Sequence, residues 1–175
     1  MTLSSAASAQ FIKAELEVSG LTCSMCSLST QKSLKTLDFV GEIKPDLNKN
    51  IFYIQFKPGK TVDLDAIKQK VIAAGFSVSK LIAVFNFSQI KVSDKFVYDY
   101  AGRSYEFMNT QDKILDGATR FQVLDKDFVP GRVSRKYGPE FKAFSIQPAG
   151  VQGTGTAPVS QPGGSPSRLF HITLS

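Results

Sequence analysis

The sequence predicts an α+β protein, with a βαββαβ unit over residues 10–81 followed by a β-rich barrel or sandwich over residues 82–175. Three observations carry this. Both stretches with helical apolar spacing fall before residue 76. Short strand-like runs flank them in the order that a four-stranded sheet behind two helices requires. From Leu81 onward, aromatic-rich alternation with intervening Gly and Pro replaces helical periodicity.

The elements follow in chain order. Lys13 to Val18 alternates like a half-buried strand and runs into the loop Gly20-Leu21-Thr22-Cys23-Ser24-Met25-Cys26. Ser27 to Leu37 has few helix breakers and places Leu34 and Leu37 on one face, although Ser27 and Thr30 leave that face thin. Val40–Lys44 and Ile51–Phe56 read as strands joined through Asp46–Asn50, which has turn chemistry. Asp63 is a good N-cap for a second helix whose Leu64, Ile67, Val71 and Ile72 form a stripe, and Gly75 suits its end. Phe76-Ser77-Val78 opens the fourth strand.

In the second half, Lys80–Val92, Phe96–Tyr100 and Ser104–Met108 alternate, with Ala101-Gly102-Arg103 as a hairpin connection. Thr119–Leu124, Phe141–Ile146 and Leu169–Leu174 complete six strand candidates. The stretch from 147 to 167, rich in Gly, Pro and Ser, can bury almost nothing and reads as a loop within the β-rich domain.

Cys23 and Cys26 are the only cysteines. Two thiols three positions apart at a helix N-terminus can close on one soft metal ion, because unpaired amides and the helix dipole favour thiolate. The same spacing serves zinc sites, redox sites and accidental pairs. Taken with Gly20, Thr22, Leu34, Leu37, Val40 and the run Ala73-Ala74-Gly75-Phe76, the motif gives residues 13–81 a clear likeness. This segment resembles the heavy-metal-associated domain, the ferredoxin-like module of copper chaperones and metal-pumping ATPases.

The resemblance implies Cys23 and Cys26 as metal ligands, with Leu21, Thr22, Met25 and Phe76 near the metal. Leu21 stands where the family usually has a core Met that is not usually a ligand. Phe76 takes the position that faces the metal loop. Ser27 and Thr30 replace residues that are apolar in the family.

A thiolate pair suits Cu(I), whose low coordination leaves room for a third ligand during transfer. Mercury and silver fit the same pair, whereas zinc would need further ligands from acidic residues, solvent or a second molecule. Two other uses of the motif stand beside this one: an adaptor whose cysteines form an inert disulfide, and a thiol–disulfide redox protein. The βαββαβ order argues against the redox use, as does the lack of a proline beside the sulfurs. Met108 and His171 are the remaining soft or imidazole side chains considered as ligands, and a lone His in an alternating strand reads first as a packed or surface residue.

Charge and composition exclude several classes. The net charge of +6 divides evenly, with 10 basic and 7 acidic groups in residues 1–81 and 11 and 8 in residues 82–175. The signs interleave without a basic run, which argues against nucleic acid as a partner. No apolar run reaches the roughly 20 residues that cross a bilayer. No arrangement of Ser, His and Asp supports an enzyme.

Ala7-Ser8-Ala9 before Gln10 has the small-x-small form of a signal-peptidase site. Residues 1–9 are therefore expected to be the remnant of a signal segment, or else a flexible tail. The first reading places the protein in the periplasm or outside the cell, where a metal-transporting membrane protein or another envelope protein would be its partner. The second leaves it cytoplasmic.

Overall fold

A computed structural model describes residues 9–136 and 168–175. The elements are β1 (Gln10–Ser19), α1 (Ser24–Lys35), β2 (Val40–Asp46), β3 (Ile51–Phe56), α2 (Leu64–Ala73), β4 (Ser77–Val92), β5 (Val97–Tyr100), β6 (Arg103–Phe107), β7 (Lys113–Val123) and β8 (Arg168–Leu174). The βαββαβ order holds over the first half. Residues 1–8 of the expected 1–9 leader or tail, the strand at 141–146 and the loop at 147–167 lie outside the described residues.

All eight strands belong to one sheet, in the order β2-β3-β1-β4-β7-β8-β6-β5. The first four are the ferredoxin-like set. In place of a separate barrel or sandwich, the second half extends that same sheet beyond β4. The boundary expected near Lys80 to Ile82 falls inside β4, a 16-residue strand with β1 on one side and β7 on the other. Ile82 to Asn86 pair in both directions at once. The apolar run Leu81-Ile82-Ala83-Val84-Phe85 is buried throughout, as suits a central strand.

The extension folds back over the sheet. β5 and β2 form its opposite edges, yet Tyr98 and Tyr100 of β5 pack their rings on Phe85 and Phe87 of the central β4. Tyr100 also meets Phe11 of β1 at 6.0 Å. One hydrophobic cluster consequently includes Leu16, Leu34 and Ile67 from the first half and Phe107, Phe121 and Phe170 from the second. β8 lies between β7 and β6, antiparallel to one and parallel to the other.

The helices are tied to this core by side chains that their sequence positions explain. Asp63 caps α2 by accepting the Ala66 N–H at 3.1 Å, and its second oxygen pairs with Arg103 of β6. Asp65, in the first turn, pairs with Arg168 of β8 at 2.9 Å. Ser33 of α1 donates to the Lys70 carbonyl of α2 at 2.9 Å. Leu64, Ile67 and Val71 are buried as expected, but Ile72 is 47% exposed. One residue beyond Val71 is a turn of about 100° on the helix, which carries Ile72 off the stripe.

Behind these clamps lies a buried polar group. His171 Nδ1 is 2.9 Å from Asp125, its Nε2 is 3.5 Å from Glu106, and its backbone N–H donates to Asp125 at 2.8 Å. Burial holds the Glu106 carboxyl above its ordinary pKa, although His171 and Lys95 work against it.

Candidate metal centre

The loop between β1 and α1 is shaped at both ends. Gly20 has φ of +92°, a left-handed conformation that glycine adopts without strain, and it turns the chain out of β1. Cys23 is extended, with φ of −149° and ψ of 158°, and acts as the N-cap of α1. Its sulfur accepts the Cys26 N–H at 3.2 Å, taking the place of the usual capping oxygen. The Cys23 carbonyl accepts from Ser27 N–H at 3.2 Å, which starts the helix.

This geometry brings the two sulfurs together. The cysteine Cα atoms are 5.3 Å apart and the sulfurs are joined as a disulfide. Cys23 is exposed and Cys26 is half-buried. The first turn of α1 contains no acidic residue, so nothing there opposes negative charge on the sulfurs. No third His, Cys, Asp or Glu joins them to make a metal cluster among the described residues.

The four neighbours expected from the sequence fall in different places. Leu21 is half-buried and packs on the core, which fits its substitution for an apolar core residue. Thr22 is exposed and lines a cavity with Cys23. Met25, in the first turn of α1, is 70% exposed. Phe76 is positioned by the end of α2. Gly75, at φ +90°, lets the Phe76 N–H reach the Val71 carbonyl at 3.1 Å while its own N–H reaches Ile72 at 2.9 Å. The Phe76 ring then lies against the base of the cysteine loop, with Cδ1 3.5 Å from where a Cβ on Gly20 would stand.

Met108 and His171 stay with the second half. The Met108 N–H donates to the Ile172 carbonyl, and His171 is engaged by Asp125 and Glu106.

Four residues of the site are not marked as its neighbours by the sequence motif. Ser27 and Thr30 are 3% and 0% exposed, beneath the loop. The Thr30 hydroxyl donates to the Cys26 carbonyl at 3.0 Å, so a hydroxyl and not an apolar group supports the second cysteine. Leu47 and Asn50, from the β2–β3 turn, close the cavity of about 210 Å³ that Leu21, Thr22, Cys23, Ser24 and Ser27 line on the other side. A signal is present for two of them, because Ser27 and Thr30 interrupt an otherwise apolar face. Leu47 and Asn50 come from a distant turn and carry no local sign.

Residues 15–77 match the family model described as the heavy-metal-associated domain, and this segment is a domain of that family. The chain is similar to the yeast copper transporter domain Ccc2a, solved in apo and Cu(I)-loaded states, at 27% identity over 38% of this chain and 90% of that one, with a TM-score of 0.34. It is similar to oxidised MerP of Ralstonia metallidurans CH34 at 21% identity over 41% and 96% of the two chains, with a TM-score of 0.35. It is also similar to apo-CopP of Helicobacter pylori, at 27% identity over 38% and 98%, with a TM-score of 0.33. No curated protein matches the chain.

Proposed function

We propose that this protein captures a soft metal ion, Cu(I), through the reduced thiols of Cys23 and Cys26 and passes it to a partner. The observation that carries the reading is the convergence of both sulfurs at the exposed N-cap of α1, within a heavy-metal-associated domain. Two thiolates on a soft monovalent ion leave a coordination position open, and an incoming thiolate can enter there during exchange. The exposed loop gives a partner access, and the Phe76 ring beside Gly20 closes the inner side with apolar surface. The role is that of a carrier without catalysis. We place it in the cell envelope, with a metal-transporting membrane protein as the recipient.

Titration of the reduced chain with Cu(I) under a competing chelator tests this. One ion per chain is expected, and Cys23→Ser or Cys26→Ser should each remove most of the affinity, since either leaves a single weak ligand. Unchanged competition curves in both variants refute the assignment. The joined sulfurs also favour a second reading, in which the disulfide is permanent and the domain serves as an adaptor. That reading requires a chain that takes up no Cu(I) even after full reduction.

A further inference from the structure

Among the described residues, β7 pairs with β4 only from Ile82 onward, whereas Ser77 to Leu81 have β1 alone beside them. We propose that this uncovered edge docks an extended acidic peptide of a partner protein, which adds one strand beside β4. The surface is separate from Cys23 and Cys26 and needs no metal.

The edge is open because β7 ends at Val123 and the chain turns away. The Leu124 N–H donates to the His171 carbonyl of β8, and the Phe128 N–H returns to Asp125 at 3.0 Å. Asp127 to Gly131 then pass the edge across a cleft of about 250 Å³ that Ser77, Val78 and Ser79 line on the other side. This passing segment does not complete the sheet. Pro130 has no N–H to give, and its carbonyl accepts from Val133 and Ser134. The outward backbone groups of the edge are left to the cleft, and a second extended backbone complements them.

The shape favours a peptide over a second copy of this chain. Ser79 is an extra residue between the Val78–Val18 and Lys80–Glu17 pairs. Such a bulge bends an edge out of the plane in which two flat sheets would join. Asp127 to Gly131 stand across the same edge, so the opening suits a single narrow chain.

The lining favours a composition. Ile72 is 47% exposed, the one member of the expected α2 stripe left outside the core, and it borders the cleft with Val78 and Val129. The cleft runs on into a second hollow of about 410 Å³, since Asp127, Val129 and Gly131 line both. There Lys126 and Arg135 outnumber the single acid, Asp127. Arg135 is held over this hollow by its Nε, which donates to the Gly131 carbonyl at 3.2 Å. Arg132 and Lys136, exposed on the same short helix at 131–136, add positive charge. A strand that alternates apolar side chains with carboxylates answers both parts of the groove.

The test uses the oxidised full chain and a blocked hexapeptide alternating valine and glutamate, with calorimetry and hydrogen exchange as readouts. Saturable binding is expected, with new amide protection within Ser77 to Leu81. The same peptide with lysine for glutamate should bind about tenfold more weakly. N-methylation of alternate amides keeps the side chains and removes the donors of one strand edge. Made in both registers, it should weaken one of the two peptides about tenfold, the size of one or two backbone hydrogen bonds. Lys126→Glu combined with Arg135→Glu changes two exposed side chains, so the fold should persist while the preference turns to the lysine peptide.

Equal binding of the glutamate and lysine peptides, full binding by both N-methylated forms, or protection only outside Ser77 to Leu81 overturns the proposal. Vesicles of phosphatidylglycerol form the last arm. If the chain binds these through Lys126 and Arg135 while the peptide shows no saturation, the basic groups serve a membrane and the proposal fails.

Discussion

Phe85→Ala decides whether the chain unfolds as one unit or as a metal domain with an appendage. Phe85 is 2% exposed in the middle of β4. Its backbone pairs with Phe11 of β1 on one side and Thr119 of β7 on the other. Its ring sits 4.9 Å from Phe11, 4.7 Å from Phe87 and 4.8 Å from Tyr100, and so joins β1, β4 and β5.

Truncating a buried Phe costs about 3–5 kcal/mol, and removing a ring that makes both tilted and edge-to-face pairs places the cost at about 4 kcal/mol. At a urea slope of about 2 kcal/mol/M, the midpoint should fall by about 2 M in a single transition. Hydrogen exchange should show amides of β1 and β6 losing protection together. Retained protection in β1 and β3, with selective loss in β6 and β8, would refute the shared core and restore two independent units.

Four further outcomes follow from the geometry. Asp63→Ala removes the α2 cap and the Arg103 partner together, and thermal melting should register a loss of about 1–2 kcal/mol. Gly20→Ala meets no steric block at Phe76, so its cost is the left-handed backbone alone, about 1–2 kcal/mol by denaturation. Burial works against the Asp65 carboxylate, yet hydrogen bonds and charge from Arg168 and Lys68 hold its pKa below the usual 3.8. Its stabilisation is present above that value and lost as pH falls through the depressed one. Arg168→Met, which removes a half-exposed pair, should therefore cost on the order of 0.5–1 kcal/mol at neutral pH and progressively less in acid melts. Glu106 has the opposite sign: burial raises it above 4.5, so its contribution is lost as pH rises through the raised value. Glu106→Gln should remove that decline, and the pH dependence of the melting temperature checks it.

The first half is legible in the sequence because each of its signals is local. Asp63, the Asp46–Asn50 turn and Gly75 act within a few residues of themselves, and each does in the structure what its position predicts. The hairpin expected through Ala101-Gly102-Arg103 is legible for the same reason, although only Ala101 and Gly102, both at positive φ, make the turn and Arg103 already pairs with Tyr100. β4 misleads because its buried run continues past the point where the βαββαβ count is complete, and alternation does not reveal which partners a strand will have. The start of β7 is hidden because Asp116-Gly117 looks like a turn. In the sheet, Gly117 at φ +79° instead sits opposite Phe87, where the β4–β7 register shifts. The parallel pairing of β8 with β6 joins residues more than sixty positions apart and has no local signature.

The way the sheet is extended bears on the candidate site. A ferredoxin-like unit alone leaves β4 as an edge strand with a row of unsatisfied backbone groups, a template for unwanted pairing. Here β7 covers that edge from Ile82 onward, and β7 is in turn covered by β8. Among the described residues no strand pairs on the outer side of Ser77 to Leu81, the end of β4 that follows Phe76 and lies beside the cysteine loop. Asp127 to Gly131 approach that end across a cleft of about 250 Å³ bounded by Ser19, Ser77 and Ser79, without sealing it. The added strands thus protect the part of β4 remote from Cys23 and Cys26, and pack Phe11 and Phe85 into a shared aromatic core. They leave the cysteine end accessible. The proposed capture of a metal ion at Cys23 and Cys26 calls for this division, because the loop must open to solvent while the sheet behind it stays fixed.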